Sequence, residues 1–167
     1  MGKVLGSFGY GSPGAVSRSV DDIIISVRNT GTADIPFGAP VFLGTDGAVP
    51  FSTASPQEFT SFLGFAVRVA DKTPDTYPGG PFSAEPEGVW HPDDLMEVLV
   101  RGSVAAPVAA SGSRGGQIYI RKADGKLTAT AGASGSTVLL ENVRIRNPKP
   151  AGSNGCAEIV VNKRNIL

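Results

Sequence analysis

The sequence has little of the chemistry on which most enzymes depend. Its 167 residues include one histidine, His91, and one cysteine, Cys156. A single cysteine excludes an intrachain disulfide and fits a protein that matures in a reducing compartment. One histidine and one cysteine do not supply the roughly three or four ligands of a zinc site, and no serine stands in a nucleophile-elbow sequence. We therefore expect no catalytic residue, no metal site and no bound cofactor.

Adjacent carboxylates occur at Asp21-Asp22 and at Asp93-Asp94. Because neighbouring residues on a strand point to opposite faces of a sheet, neither doublet is expected to present two converging carboxylates. We interpret both doublets as turn or edge charge. His91, which lies in a proline-rich segment, is interpreted as a surface or capping residue.

A net charge is also absent, since fifteen Lys and Arg balance fifteen Asp and Glu. Binding to nucleic acid through phosphate neutralisation requires a basic excess, so we expect no nucleic-acid partner. The charges are nevertheless uneven, with a net of −6 over residues 71–97 and of +3 over residues 141–167. Either these charges are scattered and solvated, or opposite patches mediate contact between copies of the chain.

Long apolar runs are missing too. No segment approaches the roughly 18 apolar residues that a membrane span needs, and the first residues lack the apolar stretch of a signal peptide. We therefore expect a soluble, unprocessed protein without a membrane partner. With 22 glycines and 13 prolines, one window longer than 12 residues, 15–30, contains neither. A helix bundle, a coiled coil or a doubly wound α/β domain needs several such windows, which argues against all three.

The sequence does contain many short β-branched and apolar segments separated by turn residues. They predict strands at 23–27, 41–43, 48–51, 62–69, 95–101, 117–121, 126–130, 138–147 and 157–162. Residues 45–47 and Asp124-Gly125 predict tight hairpins, and Gly64 is a candidate bulge. About eight to ten strands on a chain of single-domain length indicate a mainly β fold. We expect a single compact β-barrel or jelly-roll-like sandwich over residues 15–167.

Residues 1–14 form a glycine-rich segment whose backbone loses too much entropy to order alone. Four apolar side chains give it something to bury against a partner: Val4, Leu5, Phe8 and Tyr10. The segment is either a frayed terminus or an N-terminal arm that docks on a neighbouring molecule. We take those four residues as the candidate contact.

Residues 71–92 interrupt the strand pattern with five prolines and three glycines. We therefore predict a long irregular loop, and loops of this length are often functional. The loop carries Tyr77, Phe82 and Trp90, and aromatic residues favour interfaces. It is either an interface loop or a small cluster that covers one end of the barrel.

The order of segments resembles a known family, the structural cement or capsid decoration proteins of tailed bacteriophages. The matching stretches cover nearly the whole chain and are PGAVSR (13–18), PFGAPV (36–41), FLGFAVR (62–68), MEVLVRG (96–102), GGQIY (115–119), TVLL (137–140) and AEIVVN (157–162). Each stretch is ordinary strand-and-turn sequence, so the resemblance depends on their order along the chain.

The resemblance implies a small β protein, without enzymatic activity or cofactor, that binds the outer surface of an icosahedral capsid. Such a protein cements neighbouring capsomers against the pressure of the packaged DNA. Its implied partners are the major capsid protein and other copies of itself, as a homodimer or homotrimer. Its implied place is the outer face of the virion capsid after synthesis in the host cytoplasm.

Two other functions remain open from the residues alone. One is a different virion β module, such as a tail, baseplate or glycan-binding domain that uses the aromatic residues of 71–92 as a platform. The other is a trimeric β-fold hydrolase, which needs converging carboxylates or a metal in a cleft between subunits.

Overall fold

The computed structural model describes residues 11–69, 88–110, 112–150 and 155–163, with the backbone alone described at 18–20. These residues form eleven strands and one short 3₁₀ helix, Phe59–Ser61. The strands are β1 (Val16–Arg28), β2 (Ile35–Pro36), β3 (Pro40–Leu43), β4 (Ala48–Pro50), β5 (Phe62–Ala66), β6 (Val89–Trp90), β7 (Leu95–Pro107), β8 (Gln117–Arg121), β9 (Leu127–Thr128), β10 (Thr137–Asn147) and β11 (Cys156–Val161). The predicted mainly β fold is confirmed.

The 13-residue strand β7 organises the molecule. Nine strands form one sheet in the order β4-β3-β5-β7-β11-β10-β8-β9, with β1 also paired to β7. Val98 and Leu99 of β7 pair with β5, and the half of β7 that follows Arg101 pairs with β11. All these pairings are antiparallel. A separate two-stranded sheet joins β2 to β6.

Two isolated bridges curl the large sheet towards closure on both sides of β7. Asn29, just after β1, bridges to Ala48 of β4. Val108, just after β7, bridges to Leu127 of β9. Strands β4 and β9 are the two ends of the strand order. Each bridge therefore connects an end strand to a residue close to the central strand β7. The result is a curled sheet consistent with the predicted barrel or sandwich.

Both faces of the central strands are buried, because each face packs against its own apolar cluster. Neighbouring residues of β7 belong to different clusters: Leu99 lies in the first, and Val98 and Val100 lie in the second. The first cluster contains the aromatic group Phe42, Phe62 and Phe65. Every residue of β5 is buried, as its continuous apolar sequence predicts.

The predicted hairpins are present. Gly125, at φ 68°, closes the β8–β9 turn, in which Arg121 N–H donates to the Lys126 carbonyl at 3.0 Å. The β3–β4 turn is closed by the Gly44 N–H and the Gly47 carbonyl at 2.7 Å. The pairing of β3 with β5 shifts register beside Gly64, where the sequence predicts a bulge.

The two irregular segments differ from prediction where the structure describes them. Val89 and Trp90 form β6, so the end of the predicted loop is regular structure; its residues 71–87 lie outside the described chain. Gly14, assigned to the arm, is buried and donates its N–H to the Ala105 carbonyl at 2.8 Å. The described end of the predicted arm is thus tied to the body at Gly14, and the rest of the predicted arm lies outside the described residues.

Across the described ranges, no helix has the length and apolar character that crossing a membrane requires.

Candidate functional site

Strand β1 presents an open edge. Among the described residues, its segment 23–27 pairs with β7 alone. Two isoleucines stand exposed there, Ile23 at 38% and Ile24 at 41%. An unpaired strand edge with exposed apolar side chains is a surface on which another chain can add a strand. The β-branched run at 23–27 predicts the strand, but it does not reveal this exposure.

A wide bulge interrupts β1 just before this edge. Arg18 pairs with Ser103 and Ile23 pairs with Arg101, so four residues of β1 lie opposite the single residue Gly102. Gly102 has φ 121°, and a Cβ at this position would overlap the Asp22 carboxylate. Glycine here allows β7 to continue past the point where the sequence predicts its end.

The bulge forms one wall of a polar cleft of about 430 Å³. Asp21 and Asp22 both border this cleft, where their carboxylates contact different residues. Asp21 pairs with Arg101 at 2.5 Å. Asp22 Oδ1 accepts the Ser103 N–H at 3.4 Å. The described residues hold no group of three or more His, Cys, Asp or Glu that could bind a metal ion.

Burial raises the pKa of the Asp22 carboxyl, and the neighbouring charge of Asp21 raises it further, against the lowering effect of the Ser103 N–H. The second oxygen, Oδ2, is buried, and none of the described residues donates a hydrogen bond to it. A buried carboxylate oxygen without a donor disfavours the charged form. The cleft therefore holds the charged Asp22 carboxylate at a cost to stability.

Glu158 ties the start of β1 to the strands beneath it. This carboxylate is 2% exposed. It accepts hydrogen bonds from Ser17 Oγ at 2.9 Å and from Asn147 Nδ2, and Arg146 Nε lies 3.9 Å from it. Since a buried charge with several partners holds its neighbours in place, we assign Glu158 a structural role.

The second opening is an apolar cleft of about 600 Å³. Its walls combine prolines with large apolar side chains, and its rim carries charge. The wall residues include Pro36, Phe37, Pro40, Pro50, Phe51, Pro107, Val108 and Leu127, and the rim residues include Asp34, Arg121, Asp124, Lys126 and Lys149. On the rim, the hydrogen bond from Arg121 lowers the pKa of Asp124. Apolar walls with polar groups at the edge are typical of binding clefts.

Trp90 is a core residue. Its side chain is 4% exposed, its Nε1–H donates to the Val67 carbonyl at 3.1 Å, and its ring packs edge-on against Phe37 with centroids 6.0 Å apart. Trp90 therefore packs inside the described chain and does not stand exposed as an interface residue would. Tyr77 and Phe82 lie outside the described residues.

His91 and Asp93-Asp94 form a charged turn at the end of β1, as the sequence predicts. His91 Nδ1 lies 2.9 Å from Asp34 Oδ1 at the surface, and the His91 N–H donates to Asp94 Oδ2 at 2.8 Å. Asp93 pairs with Arg28 at 2.7 Å. These groups close a charged turn at the surface. The four candidate contact residues of the arm, Val4, Leu5, Phe8 and Tyr10, lie outside the described chain.

Comparison with known proteins agrees with this architecture. The profile of the structural cement protein family (E217 gp24/Pam3 gp6) matches residues 3–162. A chain from the capsid of Myoviridae phage XM1 is 19% identical, with 96% of each chain covered and a TM-score of 0.69. The head fiber gp8.5 N base of bacteriophage phi29 is 11% identical over 87% of this chain and 99% of its own, with a TM-score of 0.41. No curated protein matches the chain significantly.

The family match extends over nearly the whole chain and includes the central strand, both bridges and the two clefts. The likeness to the XM1 capsid chain supports the fold. The chain therefore belongs to the structural cement protein family of phages, and it is a structural protein of the virion that stabilises the capsid rather than an enzyme.

Proposed function

We propose that the protein binds the outer surface of an icosahedral capsid, where it contacts the major capsid protein and cements neighbouring capsomers against internal DNA pressure. The family match over residues 3–162 carries this proposal. The balance of fifteen basic and fifteen acidic residues suits a protein that sits outside the shell and does not bind nucleic acid. The protein is made in the host cytoplasm, where shells assemble.

The stabilisation follows from linkage. A ligand that binds the intact shell, and not separated capsomers, adds its binding free energy to the cost of separating them. A protein that contacts several capsomers at once also gains from effective concentration, because each contact holds the others in reach. Modest individual contacts therefore suffice.

We assign the capsid contact to Val4, Leu5, Phe8 and Tyr10. A glycine-rich segment loses much backbone entropy when it becomes ordered. It is therefore expected to order where its apolar residues are buried against a partner surface. Main-chain hydrogen bonds to an exposed sheet edge of the capsid protein would supply affinity, and the four side chains would supply fit. Tyr77 and Phe82 are proposed as a second contact.

We assign self-association, as a homodimer or homotrimer, to the open edge of β1. Segment 23–27 leaves one edge without a partner strand in the described chain, and Ile23 and Ile24 are more than a third exposed. Pairing this edge with another copy would bury both isoleucines and satisfy backbone groups that face solvent.

Co-sedimentation with empty capsids tests the proposal. The full-length protein is expected to sediment with expanded shells and less with unexpanded precursor shells, whose surface differs. Deleting residues 2–10 should reduce occupancy while the truncated protein still unfolds in one cooperative transition, because the described body begins at Gly11. Failure of the full-length protein to sediment with either shell would contradict the proposed function.

Two further variants separate the arm's side chains from its length. Replacing Val4, Leu5, Phe8 and Tyr10 by serine keeps the chain length and should lower occupancy as the deletion does. A control with Lys3→Ala and Ser7→Ala alters the polar positions of the same segment and should bind like wild type. Wild-type occupancy of the serine variant would exclude the arm as the capsid contact.

A further inference from the structure

We infer that, in the free protein, the apolar cleft seats residues 1–10 of the same chain. The segment would then be held against the body until a capsid offers it another surface. The inference concerns the protein before it meets a shell, so its test contains no capsid and is independent of the proposed function.

The described chain begins beside the apolar cleft. Gly14 is buried and crosses Gly38 so closely that a Cβ on Gly38 would lie 2.9 Å from Gly14 N and 3.2 Å from Pro107 Cδ. Gly38 and Pro107 both line the apolar cleft. Residues 1–10 therefore join the body within a few residues of the cleft wall.

Residues 1–10 are long enough to reach into the cleft. Ten residues precede Gly11, and an extended chain covers about 3.3 Å per residue, so the segment can reach roughly 30 Å from its attachment. A tethered segment has an effective concentration in the millimolar range, which favours its own cleft over that of another copy. No second molecule is needed to fill the cleft.

The chemistry of residues 1–10 matches that of the cleft. The lining includes four prolines and the side chains of Phe37, Phe51, Val108 and Leu127, together with five charged residues. Residues 1–10 contain four large apolar side chains besides Met1, and Lys3 is their only charged side chain. Docking would therefore bury apolar surface and would bring no carboxylate side chain of the segment into the cleft. It would also shield the side chains that would otherwise promote aggregation.

A nitroxide spin label at position 7, attached through Ser7→Cys in the full-length protein, tests the inference. Cys156 is 3% exposed, so the thiol reagent is expected to label position 7; a wild-type sample treated identically checks this. The cleft amides of Ala109, Gly125 and Leu127 should lose NMR intensity, while that of Asn162, at the far end of β11, should not. Equal intensities at all four amides would overturn the inference.

Two controls identify the occupant. In a mixture of spin-labelled protein without ¹⁵N and ¹⁵N-labelled protein without the label, the loss should disappear, because the arm occupies its own cleft. Persistence of the loss in that mixture would mean exchange between copies and would overturn docking in cis. Ala109→Trp, on the cleft wall, should abolish the loss, whereas Ala131→Trp, exposed and outside the cleft, should preserve it.

Discussion

The crossing of two backbone segments at Gly14 and Gly38 fixes where the N-terminal segment leaves the body. Gly14 N–H donates to the Ala105 carbonyl at 2.8 Å, and the Gly14 carbonyl accepts from Arg68 N–H at 2.9 Å. Gly38 N–H donates to the Ala66 carbonyl at 2.8 Å. Side chains at either glycine would separate segments that these hydrogen bonds hold together.

We expect Gly38→Ala to destabilise the protein more than Gly115→Ala. Both glycines have positive φ, 74° and 79°, and an alanine in this conformation costs about 1–2 kcal/mol. A Cβ at Gly38 would also meet the backbone at 2.9 and 3.1 Å, whereas one at Gly115 meets nothing within 4 Å. Overpacking should add about 1–3 kcal/mol to the loss at Gly38. Equal losses in urea denaturation would show that the crossing is not tightly packed.

Asp22 is expected to lower stability as its carboxyl ionises. Its pKa in the folded protein is raised above 3.8 by burial and by Asp21, so the native state holds the proton more tightly than the unfolded chain does. As pH rises above about 3.8, wild type should therefore lose stability relative to Asp22→Asn, until the folded carboxyl is fully ionised. Denaturation at a series of pH values measures this difference.

Asp124 provides a control of opposite sign. The hydrogen bond from Arg121 lowers its folded pKa below 3.8, so its contribution is present above that pH and disappears as the pH falls through the folded pKa. Relative to Asp124→Asn, wild type should gain stability as the pH rises. Parallel pH profiles for the two pairs of proteins would contradict the assigned environments.

At the scale of elements, local sequence patterns predict most strands and both tight hairpins. The signal is strong where alternation or turn chemistry is local, as at Asp124-Gly125. The predicted end of β7 is wrong. Gly102 is typical of a strand end, but the Asp22 carboxylate fills the space beside it and the strand continues to Pro107. The two closing bridges join residues far apart in sequence, and no local pattern predicts them.

The exposure of individual residues follows from tertiary context, which sequence does not supply. Trp90, in a proline-rich segment, is buried because β6 pairs with β2 and places the ring against Phe37. Ile24, in an apolar run, is exposed because β1 lies at an edge. The sequence therefore predicts the strand that forms the β1 edge, but it does not predict that this edge is exposed.

Ile24→Lys should disrupt self-association if β1 forms the contact between copies. A lysine on a strand edge opposes pairing with another strand, and the side chain is exposed enough for the folded subunit to tolerate the change. Leu43→Lys is the matched control, because Leu43 is also 41% exposed but its strand pairs on both sides. Light scattering should report a smaller particle for Ile24→Lys alone; an unchanged mass would place the contact elsewhere.

For the whole molecule, the described basic residues of the C-terminal region largely bond to their own chain. Arg144 donates to the Glu141 and Val143 carbonyls, Arg146 donates to Ser103 Oγ at 3.0 Å, and Lys149 donates to the Ala109 carbonyl at 3.3 Å. This favours the interpretation of the positive charge as local and solvated. Contact between copies is then better sought at the apolar β1 edge than in opposite charged patches.

Self-association and capsid binding should be coupled through avidity. A dimer or trimer presents two or three arms to the shell, and linked contacts strengthen binding by about 10²–10⁴-fold over one contact. Ile24→Lys leaves residues 1–10 intact, so its binding to expanded shells should persist but weaken by at least about 10²-fold in a sedimentation titration. Leu43→Lys should bind like wild type. If Ile24→Lys became smaller in solution yet bound shells with wild-type affinity, each subunit would act alone, and the cementing would come from single subunits that each span two capsomers.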